Sequence, residues 1–279
     1  MESSKFAFLK RYPLIFFLIL TFLISWFPWY AGNGGLWVFG PSIAGVIMTL
    51  LIYGKEGMRD LSQRATRWRV GINWWIIALF LPGLLTLIGI FINVAMGGKM
   101  PGFTFFRQEW YLAPVFFLMT IVGGPLGEEF GWRGFMLPKI QSKWGPLIGT
   151  LALGLIWGLW HIPEFLRPGS LHNEIGLGFL PFYVAGSLSL SIFMTWVYNK
   201  TRGSLLVGGF IYHNADNFWG VVLMTEVTLT AALQEESGSS MLDLQLWKVG
   251  IAVAVLAAIG LVIATKGKLG LSESQGKTV

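Results

Sequence analysis

INWWIIALFLPGLLTLIGIFINVAM, Ile72 to Met96, runs for 25 positions without one charged side chain. At about 1.5 Å per residue a helix of that length exceeds the roughly 30 Å hydrocarbon core of a bilayer. Its apolar residues are continuous rather than alternating, so it reads as a helix and not as a barrel strand. Working outward, stretches of similar character recur at about Leu14–Tyr30, Leu36–Tyr53, Tyr111–Phe135, Pro146–Leu166, Leu177–Tyr198, Ser204–Met224 and Leu246–Thr265. The chain therefore reads as an all-α polytopic membrane protein with about eight transmembrane helices. No small-x-small cleavage site follows the first span, which is read as an uncleaved helix. Composition agrees: 54% of residues are hydrophobic and only 12% charged, about half the charged share of a soluble domain. Mean hydropathy is +0.63. These values exclude a soluble enzyme, a disordered chain and a nucleic-acid binder.

Loop charges test the span count. The N-terminal head, the loops after spans two, four and six, and the tail hold 16 Lys and Arg, counting Arg133 at the fourth span's end. The remaining loops hold four, Lys99, Arg107, Arg167 and Lys248. Cationic loops stay in the cytoplasm, so both termini are expected there, in the plasma membrane of a prokaryote. With no cysteine, the chain has no disulfide, thiolate metal site or cysteine nucleophile. The segment Lys55–Gly71, with Arg59, Arg64, Arg67, Arg69 and Trp68, reads as an interfacial amphipathic stretch or an ordinary cationic loop. Residues 1–279 read as a single membrane domain, with lipid as a constant partner.

Ionisable groups at bilayer depth cost at least about 2.5–3.5 kcal/mol each, so they mark function by default. They collect in three spans. The fourth carries Gly127-Glu128-Glu129-Phe130-Gly131-Trp132-Arg133, the fifth Trp157-Gly158-Leu159-Trp160-His161, and the seventh His213-Asn214-Ala215-Asp216-Asn217. Glu129 and Arg133 are four apart and can pair on one face. Glu128 is rotated by about 100° from Glu129 and is left for chemistry. His213 and Asn217 share a face, as do Trp157 and His161, so an indole can brace the imidazole. Helix rise puts Glu128 and His213 roughly 15 Å from the inner edge and His161 roughly 22 Å, so tilt must close the difference. Asp216 reads as a packing residue, Glu164 as solvated near the outer boundary, and His172 as a loop residue without a role.

A carboxylate, two imidazoles and an amide in an apolar cavity suit hydrolysis. The acid can take a proton from water, one His can orient that water, and the second His and the Asn can donate to an oxyanion. Alternatively, Glu128, His161, His213 and Asn217 could hold a divalent cation such as Zn²⁺ with a water ready to attack. Other intramembrane hydrolases fit poorly: HExxH is absent, no GxSG-like serine is seen, and only Asp216 among three Asp lies within a span.

The ordered motifs Glu128-Glu129-x3-Arg133, Trp157-x3-His161 and His213-x3-Asn217 resemble the type II CAAX prenyl endopeptidase family, which is grouped with bacteriocin self-immunity proteins. The similarity covers about residues 124–219. Trp157 is a departure, since the family usually has Phe there. The resemblance implies an eight-helix intramembrane endopeptidase with its site opening toward the cytosol. It implies a membrane-anchored or prenylated protein substrate, Glu128 as water-activating base and His161 as its partner. His213 and Asn217 would stabilise the oxyanion or bind metal, with Glu129, Arg133 and Trp157 supporting. The alternative is a non-enzymatic, immunity-like membrane protein that binds a partner and uses the polar cluster as helix glue.

Overall fold

The computed structural model describes residues 7–32, 34–226 and 243–271. Among these the secondary structure is helical and no strand occurs. In chain order the α-helices are α1 (Ala7–Arg11), α2 (Pro13–Tyr30), α3 (Gly40–Ala65), α4 (Ile72–Ala95), α5 (Thr104–Gln108), α6 (Ala113–Gly123), α7 (Pro125–Glu129), α8 (Leu137–Trp160), α9 (Ile162–Leu166), α10 (Leu171–Ile175), α11 (Leu180–Lys200), α12 (Tyr212–Met224) and α13 (Leu244–Ala264). Two π-helical segments, Phe130–Met136 and Leu206–Ile211, lead into α8 and α12.

The packing is turned outward, as lipid requires. On α2 the large residues Ile15, Ile19, Leu23 and Phe27 are exposed at four-residue spacing, while Phe17, Thr21 and Ser25 are buried on another face. Water would reverse that arrangement. In a bilayer, small and weakly polar residues belong between helices because lipid supplies no drive to hide the large ones. Among the described residues five segments are long and apolar enough to cross a membrane: Pro13–Tyr30, Ile72–Ala95, Trp110–Leu166, Leu177–Lys200 and Leu244–Ala264. The third covers both the fourth and fifth expected spans. Helix also covers the second and seventh, but charged residues after Tyr53 and the polar run at His213–Asn217 weigh against them on composition.

Two local differences from the sequence reading have plain causes. The fourth span is not one helix. It breaks at Gly124, because Pro125 lacks an N–H and disfavours helical backbone in the residue before it, and continues as α7 and a π-helical segment. The expected loop before Pro146 shrinks to a bend within α8 at Gly145, whose φ of +77° suits glycine. Gly54, with φ +60°, makes a similar bend in α3. It separates the apolar half of that helix from the cationic half, which is helical to Ala65.

Contacts sort the loops into two faces. On one, Arg67 donates to the Arg202 carbonyl, and Ser204 Oγ donates to the Arg67 carbonyl at 2.7 Å. Gln141 Nε2 donates to Asn199 Oδ1 at 3.1 Å, and Asn199 Nδ2 to the Leu269 carbonyl at 3.0 Å. On the other face, the Leu36 N–H donates to Glu164 at 2.7 Å, and Glu226 accepts from Gly102 and Thr104. The cationic loops after the second, fourth and sixth expected spans and the segment after α13 thus meet on one side. Lys5 and Lys277 lie outside the described residues. Arg133 is buried and is no loop cation, so among the described residues the tally of cations becomes 13 to four.

Candidate active site

Both π-helical segments abut the polar residues: one begins directly after Glu129 and the other ends one residue before α12, which starts at Tyr212 and carries His213. Such wide turns re-aim the side chains beside them and are frequent at functional sites. The first is held close to α3 by glycine. A Cβ at Gly131 would lie 2.2 Å from the Pro41 carbonyl oxygen, and one at Gly45 would lie 2.7 Å from that of Phe130. This close approach seats Glu128 and Glu129 in the interior, 3% and 0% exposed.

The two carboxylates divide their work. Glu129 Oε1 accepts from Arg133 at 2.9 Å and from His213 Nδ1 at 2.8 Å. Arg133 also donates to Ser191 Oγ at 3.1 Å and lies 4.5 Å from the Trp157 ring centre. Glu128 stands apart from that cluster: its Oε2 accepts from the Trp157 indole N–H at 2.6 Å. Trp157 also receives His161, whose Nδ1 is 2.9 Å from the Trp157 carbonyl oxygen. A carbonyl can only accept, so His161 carries its proton on Nδ1, and Nε2 keeps a lone pair. The His213 ring lies edge-on to the same indole, 5.1 Å between centres. Glu128, Trp157, His161, His213 and Asn217 all line one cavity of about 530 Å³. The expected residues from three separated stretches therefore share one space.

Residues 109–219 match the type II CAAX prenyl endopeptidase Rce1-like family. The resemblance carried by the three motifs points to that same family. The chain is also 25% identical over 234 residues to CAAX prenyl protease 2 of Methanococcus maripaludis, covering 73% of this chain and 82% of that protein.

Within and beside the Rce1-like segment the structure adds residues that the spacing did not single out. Glu164 is no solvated boundary residue. Its side chain is 15% exposed, pairs with Arg167 at 2.8 Å and lines the cavity. His172 also lines it, with its ring 6.4 Å from that of His161, and Tyr183 packs against both imidazoles. Asp216 faces the cavity as well. The missing signal was tertiary: α9, α10 and the start of α11 fold back over the end of α8, where His161 sits. Burial holds the His172 imidazole below the ordinary histidine pKa, with nearby Arg167 adding to the effect and Glu164 opposing it.

The alternative metal set, Glu128, His161, His213 and Asn217, fits less well. Among the described residues no three His, Asp or Glu side chains are grouped to hold an ion. Glu128 Oε2 is engaged by an indole donor, and His213 Nδ1 is committed to Glu129.

Proposed function

We propose that the chain is an intramembrane endopeptidase that cuts a membrane-associated polypeptide, with eight traverses and both termini in the cytoplasm. The observation that carries this reading is the meeting of Glu128, His161, His213 and Asn217 around one largely apolar cavity. Glu128 takes a proton from water, and His161 Nε2 accepts a hydrogen bond from the O–H that remains, which aims the oxygen lone pair. The water oxygen attacks the scissile carbonyl carbon, and the carbonyl π pair moves to oxygen. Asn217 Nδ2 donates to that oxyanion, as does the Nε2–H of a His213 imidazolium balanced by Glu129. Glu128 then passes its proton to the leaving nitrogen as the C–N bond breaks. Low local polarity strengthens each of these interactions.

The relative's name makes a farnesylated peptide ending in a CAAX sequence the natural first probe. In detergent or nanodiscs, Glu128→Gln is expected to lower turnover of a quenched fluorescent version by about 10²–10⁴-fold, with the unfolding midpoint retained. Full activity in that variant would remove Glu128 from its role. If the wild-type chain turns over no peptide and Glu128→Gln unfolds, the cluster is helix glue and the immunity-like reading stands instead. Dialysis against a chelator is expected to leave turnover within about two-fold, far less than the effect of losing a catalytic base. Loss restored by Zn²⁺ would assign these groups as ligands.

A further inference from the structure

Gly124 occupies the break between α6, which ends at Gly123, and α7, which starts at Pro125. Its carbonyl accepts from the Gly127 N–H at 2.9 Å. It precedes Glu128 by four positions, so a side chain here would share the Glu128 face of that turn. From the opposite wall, Asn214 Nδ2 donates to the Phe117 carbonyl at 2.8 Å and holds α12 against α6, which brings Asn217 to the same break. A Cβ built on Gly124 would lie 3.3 Å from Asn217 Nδ2 and 3.8 Å from Glu128 Oε1. Gly124 lines the cavity. Its lack of a side chain therefore leaves a gap bordered by one amide donor and one carboxylate acceptor.

Both bordering atoms are uncommitted. Trp157 engages Glu128 through Oε2, and among the described residues no hydrogen bond reaches Glu128 Oε1 or the Asn217 side chain. Polar groups in an interior are normally paired, so a free acceptor and a free donor on one gap suit a guest that uses both. We propose that Gly124 is a positioning residue whose missing side chain reserves the place of the attacking water and of the tetrahedral centre it forms. The water oxygen bonds to the scissile carbon as its proton passes to Glu128 Oε1. The carbonyl π pair moves to the oxygen, which accepts from Asn217 Nδ2. A methyl group at position 124 would stand in that place. This inference rests on the peptidase reading and deepens it, by naming Oε1 as the basic atom and Gly124 as a position that tolerates no side chain.

Gly124→Ala tests this directly. Its closest contact, 3.3 Å, is to the far end of an asparagine side chain, which can give by a fraction of an ångström, so the unfolding midpoint is expected to be retained. With the quenched farnesylated peptide in nanodiscs, kcat should fall at least about 10²-fold, the effect of a misplacement of about 1 Å, while KM stays within about three-fold because the rest of the cavity is unchanged. A general narrowing of the cavity would act on KM instead. In a Glu128→Asp background the carboxylate is withdrawn by one methylene, so the same alanine should lower kcat by less than about ten-fold, a coupling that independent sites do not show. Wild-type kcat in Gly124→Ala, a loss expressed in KM, or an equal loss in the Glu128→Asp background overturns the inference and leaves the peptidase reading intact. A Gly124→Ala chain that no longer folds overturns it too, since the glycine would then serve packing. A wild-type chain that cleaves no peptide removes the peptidase reading itself, and the reserved place with it.

Discussion

At the scale of single residues, the site is organised around Trp157 as much as around the ionisable groups. Its indole N–H meets Glu128, its carbonyl meets His161, and its ring packs against His213 and Arg133. Trp157→Phe keeps the ring but leaves a buried carboxylate oxygen without its donor. A hydrogen bond to a charged group contributes about 1.5–3 kcal/mol, so unfolding stability should drop by that order. Turnover should fall less than in Glu128→Gln, because the proposed base itself remains. Equal losses in both variants would mean that the indole does more than position. The buried Glu129–Arg133 pair behaves differently. Removing one partner leaves an uncompensated charge, at a cost of about 3–5 kcal/mol, whereas exchanging both for apolar residues is often close to neutral. Chemical denaturation should therefore find Arg133→Met less stable than the double variant Glu129→Leu with Arg133→Met. If the double variant is the weaker, His213 depends on Glu129 for its seat more than Arg133 does.

At the scale of elements, the i, i+4 pairs were legible because side-chain spacing on a helix is local: Glu129 with Arg133 is a contact at 2.9 Å. The bond between His213 and Glu129 was not legible, because it joins residues 84 apart and depends on two π-helical segments aiming them together. Spacing could locate Glu128 on a different face from Glu129 but could not say that Trp157 would meet it. The role of α10 was hidden for a related reason. A five-residue helix in a loop carries no periodic signal, yet it brings His172 to the cavity. Gly131→Ala should separate α3 from the first π-helical segment, since its Cβ would lie 2.2 Å from a backbone oxygen; overpacking of this kind costs about 1–3 kcal/mol. Unchanged thermal stability would mean that the two helices part freely. The His172 pKa is lowered in the fold, so its neutral form contributes stability that is fully present above about pH 6.5, the unfolded value. That contribution is lost as pH falls through the lower folded value. The unfolding midpoint should therefore decline on acidification below about pH 6.5, and less steeply in His172→Gln.

At the scale of the whole molecule, dense packing and the cavity occupy different ends of the bundle. The cationic end is closed by hydrogen bonds between loops and by packed apolar side chains, and the opposite end holds the cavity. The sequence already carried half of this division, because loop cations record which helix ends share a face. The position of the cavity required the fold, since its lining draws on residues from Leu36 to Ala254. Leu269 tests the separation. It is fully buried and follows α13, and its carbonyl accepts from Asn199, which is bonded to Gln141 at the foot of α8. None of these residues lines the cavity. Leu269→Ala should remove about 2–5 kcal/mol of stability, as expected for truncating a buried leucine. At a temperature well below the unfolding midpoint its kcat should equal that of the wild-type chain. The reason is geometric: packing lost at the closed end leaves the Trp157, Glu128 and His161 contacts in place. A fall in kcat that tracks the loss of stability would show that the closed end sets the shape of the open one, and the separation would not hold.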